Sequence, residues 1–221
     1  MLESYENHVE NTKDSIKNIV ENIIEANKLF IKSIQNNCEN EEFNKAKQVL
    51  KNITPKINDI DNELIKILAL YSPEAKDLRE IIAYFKINNE LLRTTANTKN
   101  LIIDFINECK KVEVNIIDNY ILPLQTSAIQ AFEYIDLMMG IEDINILKDS
   151  FHKILVEQHK TDDLYSLLEK KVFENLQDKS DFEKIYKMLR ACRRSKKIVD
   201  RAVSISHFLV YIKEGGILEV V

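Results

Sequence analysis

From Ile81 to Phe105, seam positions such as Ile81, Tyr84, Leu91, Thr98, Ile102 and Phe105 recur at a helical period. These spacings of three, four and seven mark the buried seam of a long helix. The segment opens at Ser72-Pro73-Glu74. That triplet suits a serine N-cap, a proline at the first helical position and an acid at the positive end of the helix dipole. Similar punctuation divides the rest of the chain. Asn36 to Glu42 is a polar cluster with Asn40 as a candidate N-cap. Gly140 closes a helix, Ser180 with Glu183 has capping-box spacing, and Gly215-Gly216 ends the last helix. A weaker break lies at Lys110 to Asn115, before Pro123. The pattern predicts six helices near 4–36, 41–71, 73–109, 115–139, 142–177 and 181–214, with Pro55 kinking the second or delaying its start.

The chain reads as one unit used twice. A shift of 104 positions carries Asp77-Leu78 onto Asp181-Phe182, Ile81 onto Ile185 and Leu101 onto Ile205. Each half is then a long hairpin plus a third helix. The expected fold class is all-α: two tandem three-helix bundles, residues 1–111 and 112–221. Composition points the same way, because only three Gly and three Pro occur and residues 1–139 contain no Gly. A sheet protein needs turn residues every ten or so positions.

A net charge of −5 argues against a general nucleic-acid partner. The acidic N-terminus lacks the regions of a secretion signal, and no run approaches the length of a membrane span. Cys38, Cys109 and Cys192 are far apart and odd in number, which fits reduced thiols in a cytoplasmic protein better than a disulfide framework or a zinc site.

Candidate chemistry concentrates on the last helix. Arg190, Arg193, Arg194, Lys197 and Arg201 fall at 0, 3, 4, 7 and 11 and form one basic stripe. Such a stripe suits an anion or an acidic partner surface; it is also how an ordinary solvated helix face looks. His159 and Asp163 are one turn apart with Asp162 adjacent, but two ligands do not make a metal site. Catalysis finds no support. There is no Gly-rich phosphate loop, no H-E-x-x-H and no G-x-S-x-G, and no histidine has Glu three residues before it, as di-iron bundles require.

"SPEAKDLREII" (from Ser72) resembles the P-x-A-x-D-L-R-x-I motif of the PhoU domain, and "KINNELLR" (from Lys86) resembles its K-I-x-x-D-L-E-R. "TDDLYSLLEK" and "KKIVDRAVSI" resemble second-half motifs, so the resemblance spans nearly the whole chain. Asp77, Arg79, Glu90, Arg93 and Asn97 then act as fold markers. The resemblance implies a non-enzymatic cytoplasmic adaptor, at most peripheral to the inner face of the membrane. It would restrain phosphate uptake or starvation signalling by contacting an ABC-transporter ATPase or a membrane sensor kinase. A homodimer is compatible with the family.

Some PhoU proteins hold iron or zinc clusters through carboxylates four apart on the third helix and others on the helix before it. Those positions carry Leu92 and Ala96 with Thr54 and Asn58 in the first half, and Lys196 and Asp200 with Gln158 and Asp162 in the second. Most ligands are therefore missing and Lys196 is itself a cation, so no metal cofactor is expected. The alternatives are a metal-binding helical bundle for ion storage or redox, using iron or zinc, and an accessory protein of another phosphate permease. With Leu and Ala in place of carboxylates the apolar seam widens at Leu92 and Ala96. Either a further helix covers that edge, or it is exposed as an interface.

Overall fold

The computed structural model is all-α, without strands among the described residues, which are 2–174 and 179–216, the side chains of residues 2 and 179–185 excepted. In chain order the helices are α1 (Leu2–Gln35), α2 (Asn40–Leu50), α3 (Ile53–Tyr71), α4 (Ala75–Ile106), a short α5 (Val114–Ile116), α6 (Leu122–Met138), α7 (Ile144–Glu174) and α8 (Lys179–Glu214). A 3-10 turn at Cys109–Lys111 precedes α5, and a π turn at Ile117–Ile121 joins α5 to α6.

Pro55 acts as expected. It lies in the first turn of α3, where its missing N–H costs nothing, and the predicted second helix becomes two pieces separated at Lys51-Asn52. Ser72 does not cap α4. It is the left-handed C-cap of α3 (φ 46°), donating its N–H to Leu68 O at 3.2 Å, and α4 starts three residues later after Glu74. Glu39, not Asn40, is the N-cap residue of α2. The Ser180–Glu183 box lies outside the described side chains. Gly215 closes α8 at φ 77°, a left-handed conformation that favours glycine, with the Arg79 guanidinium lying against it.

Four helices lie side by side in the order α3, α4, α8, α7; α1 and α6 cover the inner side of this row, packing on each other and on α4 and α8. One continuous apolar core results. Phe30 centres one part of it, with its ring 5.6 Å from Phe43 and 5.3 Å from Phe105. Burying each ring contributes about 1.5–3 kcal/mol. The seam residues Ile81, Tyr84, Leu91, Thr98, Ile102 and Phe105 are all buried, as the spacing predicts.

The inner helices are also joined by hydrogen bonds that the sequence pattern does not announce. Gln125 on α6 donates to Asn27 Oδ1 on α1 and accepts from Ser195 Oγ on α8 at 2.9 Å, with all three side chains buried. Each of these three side chains thus enters the core with a partner, as burial demands.

The expectation of three reduced thiols is corrected. Cys38, in the turn after α1, and Cys109, in the 3-10 turn after α4, form a disulfide with Cα atoms 5.9 Å apart. Both helices end at the same pole of the fold, which brings together residues separated by 71 positions. Cys192 is free and buried.

Candidate partner-binding face

The central ridge of the molecule is the antiparallel pair α4 and α8. Asp104 on α4 accepts from Arg190 Nη2 at 2.6 Å and from Arg194 Nε at 2.8 Å. Glu90 accepts from Arg201 Nη1 at 3.1 Å. Asp104 and Glu90 are only 11% and 12% exposed, so these are charge-assisted bonds in a partly desolvated groove, stronger than surface pairs. Further along, Lys86 Nζ lies 5.7 Å from the Phe208 ring centre and the Arg79 guanidinium 5.9 Å from that of Tyr211. The shift of 104 that relates the halves of the sequence carries Lys86 to Arg190 and Asp104 to Phe208. Lys86 on Phe208 and Arg190 on Asp104 are therefore equivalent contacts with different chemistry.

The structure divides the predicted basic stripe. Arg190, Arg194 and Arg201 are committed to α4. Arg193 and Lys197 are exposed, and among the described residues neither has an ion pair. Sequence periodicity found the row of cations; the two carboxylates that occupy three of them come from the other half and carry no local signal.

The positions matching the family's metal ligands also separate. Leu92, Ala96, Thr54 and Asn58 are exposed, the first two with hydrocarbon side chains that offer no donor. In the second half the four positions meet in one polar network. Gln158 Nε2 donates to Asp200 at 3.2 Å, and Lys196 Nζ lies 2.9 Å from Asp162 and 3.9 Å from Asp200. The hydrogen bond to Asp162, followed by the field of Asp200, raises the Lys196 pKa and keeps the ammonium charged. A cation is thus already supplied by the chain, and these residues do not fit a metal ion. His159 and Asp163 are both exposed on α7, and no group of three or more candidate ligands forms among the described residues.

An all-α scaffold with α4 and α8 paired at its centre defines the class, and it is the PhoU fold. A crystal structure of the phosphate transport system regulatory protein PhoU from Streptococcus pneumoniae superposes with a TM-score of 0.80, covering 98% of this chain and 100% of that one at 14% identity. PhoU from Pseudomonas aeruginosa gives 0.75 over 97% and 98% at 17% identity. In sequence, the chain is 25% identical over 177 residues to the phosphate-specific transport system accessory protein PhoU homolog of Pseudomonas putida. That alignment takes in 77% of this chain, which spans 65% of the relative's length. No protein-family model matches the chain. The PhoU resemblance carried by the "SPEAKDLREII" segment is borne out in both sequence and fold. No helix among the described residues is long and apolar enough to cross a membrane.

Proposed function

We propose that this chain is a non-enzymatic regulatory adaptor in phosphate homeostasis. It restrains uptake or starvation signalling by docking on the ATPase of a phosphate transporter or on a membrane sensor kinase. The observation that carries the reading is the match to PhoU proteins along nearly the full chain, in fold and, over most of it, in sequence. Its place is the cytoplasmic face of the membrane, where such partners expose their regulatory parts. It works without a metal: Lys196 between Asp162 and Asp200 supports this, as do the hydrocarbon side chains of Leu92 and Ala96. Arg193 and Lys197, the two uncommitted members of the basic row, supply the charge that meets the partner.

The test is recovery of partners from native membranes with wild type and with the Arg193→Glu/Lys197→Glu variant. Arg194 is left intact because reversing it would break the bond to Asp104. Wild type recovers a phosphate-transporter ATPase or a sensor kinase in a salt-sensitive manner, and the variant loses it. Equal recovery by both removes the role of the two cations. Equilibrium dialysis with iron and zinc checks the metal: tight uptake of several ions per chain would overturn the metal-free reading.

A further inference from the structure

The face of α4 turned away from its buried row is not polar. Leu78, Ile82, Phe85, Asn89, Leu92 and Ala96 follow one another at alternating spacings of four and three, and the same register passes Lys99 to reach Ile103. Leu78, Ile82, Leu92 and Ile103 are 39%, 38%, 37% and 52% exposed. Twenty-five residues of helix make a seam about 37 Å long at 1.5 Å per residue. A seven-residue apolar repeat is the register that a second helix follows in a coiled coil, and polar residues within it, here Asn89 and, past Ala96, Lys99, fix alignment. Nothing in the core of this fold requires such a repeat on the outside of α4, where the equivalent positions of α8 are Arg193 for Asn89 and Lys196 for Leu92.

The charges bordering the seam decide what lies on it. Arg79, Lys86 and Arg93 repeat at sevens along the α8 side of α4, and Arg193 and Lys197 stand exposed on α8 beyond them. The acids nearby are engaged: Glu90 by Arg201 and, at 3.7 Å, by Arg93, and Asp104 by Arg190 and Arg194. A second copy of this chain would set the basic row against another basic row. A lipid surface would call for a broad apolar face, whereas this one is two residues wide, bounded on the α8 side by Arg79, Lys86 and Arg93 and on the other by the buried row of Ile81, Asn88, Thr95 and Ile102. We infer that the α4 seam is a docking site for one amphipathic helix of a partner protein, with acidic residues flanking its own apolar repeat. The partner's apolar residues pack on Leu78, Ile82, Leu92 and Ala96, its acids meet Arg193 and Lys197 and the exposed Arg93 that Glu90 only partly neutralises, and Asn89 sets the register. The inference shares with the proposed function only the reading that Arg193 and Lys197 face a partner; it does not require that partner to belong to a phosphate system.

Photo-crosslinking tests it. p-Benzoylphenylalanine is placed at Leu92, or at Ala96 in a second variant, in the full-length chain expressed in its native host, with Leu137 on α6 as an exposed control. Mass spectrometry maps the crosslinked peptide. The expected product joins Leu92 and Ala96 to one partner segment with heptad apolar spacing and flanking Asp or Glu, absent from the Leu137 control. A synthetic peptide of that segment then binds the purified chain, and Leu92→Glu or Arg93→Glu/Lys197→Glu weakens it at least tenfold while circular dichroism stays unchanged. Crosslinks to a second copy of the chain, to lipid, to a basic or non-helical segment, or to nothing at either position would overturn the inference. An acidic helix from a protein outside phosphate transport would leave it standing and remove the proposed function instead.

Discussion

Arg194 on α8 and Asp104 on α4 are 90 residues apart in the chain and meet at 2.8 Å on the central ridge, with Arg190 on the second carboxylate oxygen. One acid thus holds two cations that sequence periodicity assigns to a solvent-facing stripe. Asp104→Ala leaves the half-buried Arg194 without its counter-charge. The expected loss is about 1–2 kcal/mol, discounted because Arg190 is largely solvated. In a chain of this size that lowers Tm by roughly 3–6 °C. A thermal melt checks it, and a change within error would show that the pairs are incidental.

The buried polar link between α1, α6 and α8 is held by Gln125. Gln125→Leu keeps the bulk but strands Asn27 Oδ1 and Ser195 Oγ in the core, so a loss of about 2–4 kcal/mol is expected. Adding Ser195→Ala to it costs less than the sum of the two single changes, because one stranded group disappears. Urea titrations of the three variants decide; strict additivity would mean that the residues act independently.

The Cys38–Cys109 disulfide closes a long loop, and the chain-entropy argument gives about 4 kcal/mol for a loop of this length. Protein unfolded without reductant should expose one thiol per chain, that of Cys192, and Cys38→Ala should lower the urea midpoint. Three titratable thiols would remove the bond from the account of stability.

Alkaline pH should destabilise the fold. Burial pushes the Cys192 thiol up to about 12, and burial with Asp77 and Glu80 pushes Tyr5 up to about 12; burial and Glu80 also raise Tyr84. Each is held neutral in the fold, so the unfolded chain loses its protons first as pH passes the ordinary values near 8.5 and 10. Stability is full below those values and declines through the raised ones. Lys196 acts in the same direction: its raised pKa gives stability that is present below about 10.4 and lost as pH rises through the folded value. Urea midpoints from pH 7 to 11 should fall, and Cys192→Ala should flatten the part that begins near pH 8.5. A flat profile in wild type would contradict the burial of these groups.

Helix number and order were legible because the 3.6-residue period is a local property: the seam from Ile81 to Phe105 is buried, Pro55 begins a helix and Gly215 ends one. Ser72 was misread because Ser-Pro-Glu looks the same after one helix as before the next; only the register of α3 puts Ser72 at its left-handed end. Partners that arrive from elsewhere in the chain were invisible. Asp104 reaches Arg194, Cys38 reaches Cys109, and Gln125 joins two helices that its own segment does not name. Leu92 was legible as an edge of the apolar stripe, and the fold decided that the edge is exposed.

The equivalence of Lys86 on Phe208 with Arg190 on Asp104 gives the ridge two unlike ends. Dissolved ions reach the solvated Arg190 guanidinium and weaken its share of the partly buried Asp104 cluster, whereas a lysine stem laid on a ring keeps its apolar contact at any ionic strength. Concentrated salt therefore works on this molecule as a wedge entering from one side: the Asp104 end slackens first, and the Phe208 end remains the pivot.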